Sequence, residues 1–329
     1  MIEARAISMR YGNVTALHES SFTARRGEVV GLLGPNGAGK TTTMRILTTY
    51  QLPSSGTAVV AGHDVVAEPL EVRRRIGYLP ETLPLYLSME VCECLRFVAR
   101  ARGLRGRELK ERVDWVVAKC GLDRMYRTPV LELSKGFRQR TALAQALVHD
   151  PEVVILDEPT TGLDPHQILG IRALIEELAH ERTVLLSTHI LQEASALAQR
   201  LLVMSGGRIV GAGTADELRA QAGVRPRVRV AVRGGDVATL RAELSRIDGA
   251  GAVTTAGDGA VFDVVETAPG LLARVGEWAH ARGLTVLELS WHEGSLEEMF
   301  LTLTRQGAAS HAHDAAQHAA HDAAQEEAA

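Results

Sequence analysis

Cysteine is scarce in this chain: three residues in 329, Cys92, Cys94 and Cys120, which form neither a CxxC pair nor an even set. That excludes a disulfide framework and a cysteine-based zinc site, and it suits a reducing cytosol. Long apolar runs are missing as well. No stretch reaches the roughly 18 uninterrupted apolar residues that a membrane span needs, and the opening MIEARAISMRYG lacks the apolar core of a signal peptide. The chain is therefore expected not to cross a membrane on its own. Nor is there an excess of basic charge: 36 Lys and Arg stand against 40 Asp and Glu, a formal net charge of −4. The surplus acid, Asp314, Asp322, Glu326 and Glu327, lies wholly beyond the last basic residue, Arg305. A neutral body argues against non-specific DNA binding, which relies on a cationic surface.

What is present is ordinary globular material. Hydrophobic residues make up 46% and charged residues 23% of the chain, enough to bury a sizeable core, and the length predicts about two domains. A buried strand is predicted at 29–33, followed by a Gly-rich loop and a helix at 40–49. Helical spacing over 91–120 is broken at Gly103 and Gly106. A Ser-Lys-Gly turn, an Ala/Leu helix to His149, a buried strand at 153–156, a helix at 168–179, a second buried strand at 183–187 and a helix at 191–200 follow. Apolar strands alternating with helices predict an α/β domain with a mainly parallel sheet, over 1–222. A linker-like Gln-Ala-Gly-Val-Arg-Pro then leads to Val228, Val230 and Val232 alternating with Arg227, Arg229 and Arg233, the period of a half-buried strand. With a helix at 237–247, strands near 253 and at 261–265, a helix at 270–281 and a strand at 284–289, the order βαββαβ predicts a small α+β, ferredoxin-like domain over 225–305. A terminal helix at 295–304 closes it, and a His/Ala-rich tail occupies 306–329.

The chemistry concentrates at two places. Gly34-Pro35-Asn36-Gly37-Ala38-Gly39-Lys40-Thr41 matches GxxxxGK[ST] between a buried strand and a helix, the setting in which this motif forms a phosphate-binding P-loop. The loop's N–H groups and the positive end of the helix face the phosphates of ATP. Lys40 supplies a mobile charge, and the hydroxyl of Thr41, followed by Thr42, reaches Mg²⁺. Further on, the apolar strand 153–156 delivers Asp157 and Glu158 at its C-terminal end, where open α/β sheets bind ligands. Asp157 is expected to hold Mg²⁺, and Glu158 to orient and polarise an attacking water as general base.

Around these residues the sequence resembles the ATP-binding cassette (ABC) ATPases, over about 1–220. Leu133-Ser134-Lys135-Gly136-Phe137-Arg138-Gln139-Arg140 is similar to the family's signature motif, Thr161-Gly162-Leu163-Asp164 to its D-loop, His189 to its switch histidine and Tyr11 to the aromatic that stacks on adenine. The residues alone leave Tyr11 open as a core aromatic and His189 as a hydrogen-bonded structural residue. The resemblance implies a P-loop fold with an antiparallel β part near the N-terminus and a helical subdomain over about 83–131. It also implies a homodimer in which Ser134 and Gly136 meet the γ phosphate. Lys135 stands where the family usually has Gly and Phe137 where it has Gln; Glu81 replaces a Gln that links Mg²⁺ to a membrane partner. The details resemble the branch of gliding-motility, copper-processing and multidrug exporters.

The resemblance thus implies an ATP-hydrolysing subunit that dimerises around ATP and drives a separate integral-membrane permease from the cytoplasmic face of the membrane, with no nucleic acid involved. The alternative is a soluble ABC-type switch acting on nucleic acid or ribosomes, disfavoured by one cassette, no heptad run and no zinc spacing. The basic run from Arg100 to Arg112 is interspersed with Glu108 and Glu111 and reads as a solvated face or a surface near anionic lipid. In the tail, His313-Asp-Ala-Ala-Gln317 recurs as His321-Asp-Ala-Ala-Gln325. This reads as a solvated low-complexity segment; if helical, its histidines and acids share faces that can hold Zn²⁺, Cu²⁺ or Ni²⁺.

Overall fold

The computed structural model describes residues 1–256 and 259–307, so the histidine repeat of the tail lies outside the described residues. In chain order the elements begin with strands β1 Ile2–Tyr11, β2 Val14–Ala24 and β3 Val29–Leu33, then α1 Lys40–Leu47, β4 Ser55–Val60, β5 His63–Asp64, α2 Pro69–Arg75 and β6 Ile76–Leu79. Helices α3 Val91–Ala101 and α4 Gly106–Lys119 and two short 3-10 turns lead to α5 Lys135–Leu147. Then come β7 Val153–Asp157, α6 Pro165–Ala179, β8 Thr183–Thr188, α7 Leu191–Leu197, β9 Arg200–Ser205, β10 Arg208–Gly213 and α8 Ala215–Gln221. The chain continues with β11 Arg227–Arg233, α9 Val237–Leu244, β12 Ala250–Thr255, β13 Val261–Glu266, α10 Leu271–Ala281 and β14 Thr285–His292, and a last helix, α11, covers 296–307.

Contacts divide the chain into two compact units, Ala215–Leu303 and the remainder. The division falls at Thr214 and so groups α8 with the smaller unit, ahead of the linker expected near 220–225. The larger unit is built on a six-stranded sheet in the order β10-β9-β3-β8-β7-β6. Its pairs are parallel except the β9–β10 hairpin, as the buried apolar runs predict. Strands β3, β7 and β8 are buried at every position. Because successive side chains point to opposite faces, each strand feeds two cores. Val29, Val154, Leu156, Val184 and Leu186 pack toward the helical side with Leu95, Val116 and Leu143. Val30, Leu32, Val153, Ile155 and Leu185 pack on the other face with Ile7, Leu17, Met44 and Ile46. A second, antiparallel sheet, β2-β1-β4-β5, covers that face's residues, and α3 and α4 lie in the stretch expected to be helical. All three cysteines are buried and unpaired; burial pushes the Cys120 thiol up to about 12, which leaves it inert.

The smaller unit has one four-stranded sheet, β12-β13-β11-β14, antiparallel throughout. Its core is Val228, Val230, Val232, Leu240, Leu244, Phe262, Val264 and Val275, so the Val/Arg alternation does bury the valine face. Several expected boundaries shift, three of them as follows. The helix foreseen over 191–200 stops at Leu197, because Arg200 opens β9 and pairs with Val30 of β3. The helix foreseen to 247 ends at Leu244. The last strand runs on to His292, held against β11 as far as Arg227.

A half-buried histidine sits outside the catalytic motifs. His149, just after α5, uses its Nε2 against the carbonyl of Ile76 at 2.9 Å, and its Nδ1 has no partner. A carbonyl only accepts, so Nε2 carries the proton and the ring is neutral. Burial, helped by nearby Arg102, pushes its pKa down to about 4. The unfolded chain therefore binds more protons than the folded one between about 6.5 and about 4, and stability must rise with pH across that window. His149 is expected to contribute a fall of about 3 kcal/mol to urea-measured stability as pH drops through it, and His149→Gln is expected to flatten that slope; an unaltered slope would place the titration elsewhere.

Candidate functional site

The P-loop leaves the end of β3 and closes on α1. At Gly34 a side chain has no room, since a Cβ would stand 2.5 Å from the Met204 carbonyl of β9. Gly39, the residue before α1, turns the chain with φ of 99°, in the left-handed region, which glycine adopts without strain. Lys40 is buried and folds back over the loop, donating to the carbonyls of Gly34 at 2.7 Å and Pro35 at 3.2 Å. Its ammonium also lies 3.9 Å from Glu158 Oε1. Burial lowers its pKa, opposed by the charges of Glu158, Asp157 and Glu81.

The acidic pair arrives from β7. Asp157 is 1% exposed; its Oδ1 accepts from the Ser187 hydroxyl at 2.5 Å, while its Oδ2 is buried with no partner. Glu158 follows with φ of 52°, a left-handed conformation that costs a non-glycine residue about 1–3 kcal/mol and is concentrated at functional sites. Its N–H donates to Ser187 Oγ at 3.0 Å. Its carboxylate accepts from Thr161 Oγ1 at 3.1 Å and lies 2.9 and 3.0 Å from His189 Nδ1. The carboxylate can only accept, so Nδ1 is the protonated nitrogen of His189. The loop after Glu158 is pinned from both sides: Gln139 Nε2 donates to the Pro159 carbonyl at 3.0 Å, and the Thr160 hydroxyl donates to the buried carboxylate of Glu193 on α7.

A cavity of about 610 Å³ joins these parts. The structure brings onto its wall Asn36, Gly37, Ala38, Gly39, Lys40, Thr41, Thr42, Glu81, Glu158 and His189, and adds Ala16 and Thr161. Gly34 and Pro35 serve it through the carbonyls that hold Lys40, and Asp157 lies outside its lining. Tyr11 and the signature residues are elsewhere. Tyr11, 45% exposed at the end of β1, donates its hydroxyl to Gln51 Oε1 at 2.6 Å. Ser134 caps α5, accepting from the Phe137 N–H at 3.4 Å, and Gly136 is buried beneath Gln167.

Magnesium fits the donor set. A buried carboxylate oxygen without a partner, a threonine hydroxyl and a second carboxylate at the wall are hard oxygen ligands of the kind that ion takes. Ser187 is the residue that sequence reasoning passed over. It sits level with Asp157 in the β7–β8 ladder, and its single hydroxyl serves both acidic residues. The signal was present in Leu185-Leu186-Ser187, a hydroxyl closing a run that is otherwise apolar.

Removing that hydroxyl leaves a buried carboxylate oxygen and a buried N–H without partners. Ser187→Ala is expected to lower stability by about 1–3 kcal/mol, read from chemical denaturation. A midpoint equal to wild type would mean that Ser187 does not hold the pair.

Comparison with known proteins converges on one reading. The ABC transporter family matches residues 17–161. A daunorubicin resistance ATP-binding protein of Streptomyces coeruleorubidus is 37% identical over 301 residues, covering 90% of this chain and 93% of that protein. A "Probable multidrug ABC transporter ATP-binding protein" of Escherichia coli (strain K12) is 36% identical over 225 residues, 67% of this chain. The match spans only 38% of that longer protein's length. A solved ATP-binding subunit of an ABC transporter superposes with a TM-score of 0.63 at 32% identity, over 75% of this chain and all of that one. Likeness that runs through motifs, fold and nearly the full length of a relative leaves one assignment: the chain belongs to the ABC transporter family, among its ATP-binding proteins.

Proposed function

We propose that the chain binds ATP with Mg²⁺ and hydrolyses it to drive a separate membrane-spanning permease, in the manner of an exporter. The observation that carries this reading is the arrangement at the end of β7: Glu158 held by His189 and Thr161 on the wall that also carries the P-loop. Lys40 and the N–H groups opening α1 would take the β and γ phosphates. Thr41, Asp157 through its free Oδ2, and Glu81 would hold Mg²⁺, which when bound supplies positive charge against the phosphate oxygens. Glu158 takes the proton of the attacking water onto its carboxylate as the water's oxygen bonds to the γ phosphorus and the bond to ADP breaks. His189 and Thr161 keep that carboxylate oriented. Lys40 lies 3.9 Å away.

The signature residues stand away from this cavity's wall, which supports a site completed by a second copy: Ser134 and Gly136 of one subunit would close on the γ phosphate held by the other, in a twofold pair. Tyr11 would stack on adenine. Among the described residues no helix is long and apolar enough to cross a membrane, and the relatives carry names of multidrug transport and daunorubicin resistance. Both support a permease on other chains, export, and a peripheral place at the cytoplasmic membrane face. We read the Ala215–Leu303 unit as ferredoxin-like, since each βαβ half has a strand of the other half between its own two strands. It regulates or braces the dimer, and among its described residues holds no convergent acid–base set.

Lys40→Ala is expected to lose nucleotide affinity and turnover together, whereas Glu158→Gln keeps binding and loses about 10²- to 10⁴-fold in rate; equal loss of binding in both would sink the assignment. Light scattering should find Glu158→Gln dimeric in saturating Mg-ATP and monomeric without nucleotide. A chain ending at Ala222 should retain measurable ATPase activity, and a folded but inactive truncation would give the small unit a part in catalysis.

A further inference from the structure

Lys135 is anomalous in its electrostatics. The chain has four lysines. Lys40 faces Glu158 at 3.9 Å, Lys110 pairs with Asp114 at 2.9 Å and Lys119 pairs with Glu177. Lys135 alone has no carboxylate partner among the described residues. It opens α5, a helix with no acid in its first turn, where a cation is disfavoured by the helix dipole. Something other than charge pairing accounts for its placement.

Its side chain lies across Gly162. A methyl group at Gly162 would overlap Lys135 Nζ and stand 2.8 Å from Cε and 3.3 Å from Cδ, and Gly162 itself has φ of 73°. The converse contact is made one residue along. A methyl group at Gly136 would collide with the carboxamide of Gln167, 2.6 Å from Nε2, and the Gln167 N–H is in turn fixed by Asp164 Oδ1 at 2.9 Å. The start of α5 thus lays Lys135 over a glycine of the loop before α6, and the first turn of α6 lays Gln167 over a glycine of α5. The neighbour of Gly162 is Thr161, whose hydroxyl holds Glu158.

We propose that Lys135 and Gln167 form a two-sided clasp that ties the signature loop to the loop orienting Glu158, so that closure of the signature on a second copy's nucleotide is passed to the general base of its own copy. Both are positioning residues and neither touches the reacting atoms. The proposal rests on the dimeric reading above. The end of the Lys135 side chain lies over Gly162, Nζ nearest and Cε and Cδ behind it, so the clasp is made by the reach of this side chain across the glycine, and this separates it from a direct contact with phosphate.

The test is the ATP dependence of steady-state hydrolysis by the full chain, with dimerisation of Glu158→Gln in Mg-ATP measured alongside. Wild type is expected to be cooperative, with a Hill coefficient approaching about 2 for two coupled sites. Lys135→Gly and Gln167→Ala should fall to about 1, with ATP binding to the isolated subunit unchanged within about twofold. Lys135→Met keeps the stem and should retain cooperativity. Non-cooperative wild type, unchanged cooperativity in Lys135→Gly and Gln167→Ala, or a loss in Lys135→Met equal to that in Lys135→Gly, overturns the clasp. Failure of Glu158→Gln to dimerise overturns the dimeric reading itself, and the transmission with it.

Discussion

One hydroxyl joins the carboxylate of Asp157 to the backbone of Glu158, the two acids on which the site depends. Ser187 donates to Asp157 Oδ1 and accepts the Glu158 N–H, and it does so across the β7–β8 ladder at the C-terminal end of the sheet. Two adjacent acids on a fully buried strand are unfavourable unless their charge is answered locally. Here it is answered unequally. Glu158 has a hydroxyl, an imidazole and a lysine around it, whereas Asp157 keeps one oxygen unsatisfied. The same backbone thus presents two acids in different surroundings, one with an unsatisfied buried oxygen and one whose carboxylate is held from three sides.

Much of this was legible in the residues. The strands at 29–33, 153–156 and 183–187 could be read because central strands of a parallel sheet are buried on both faces and run as continuous apolar stretches. GxxxxGK[ST] could be read because the loop needs glycines where the backbone turns toward phosphate. The hidden parts depend on contacts distant in sequence. Nothing near Ser187 announces that it lies level with Asp157, thirty residues away. Likewise Tyr11 shows its aromatic character in the sequence but not its hydrogen bond to Gln51, which follows from how β1 and the segment before β4 meet.

The end of the helix expected over 191–200 shows the limit of local pattern. Helical spacing continues past Leu197, yet Arg200 is taken into β9, and its guanidinium pairs with Glu28 at 2.7 Å. Tertiary pairing overrides local preference there, as it does wherever a propensity of tenths of a kcal/mol meets a ladder of hydrogen bonds. In the smaller unit the opposite holds. The Val/Arg alternation of β11 decides its faces, with valines in the core and Arg229 near Asp263 and Glu288 on the other side.

The backbone of Glu158 carries a consequence for how this protein can change. An L-residue at φ of 52° sits where glycine or asparagine would be more comfortable. Replacement of Glu158 by glycine would therefore relieve the backbone, while a β-branched residue there would be an outlier, as Thr49 at φ of 58° is elsewhere in the chain. The glutamate is thus held at a cost of about 1–3 kcal/mol to the fold, so that selection for stability alone would tend to replace it.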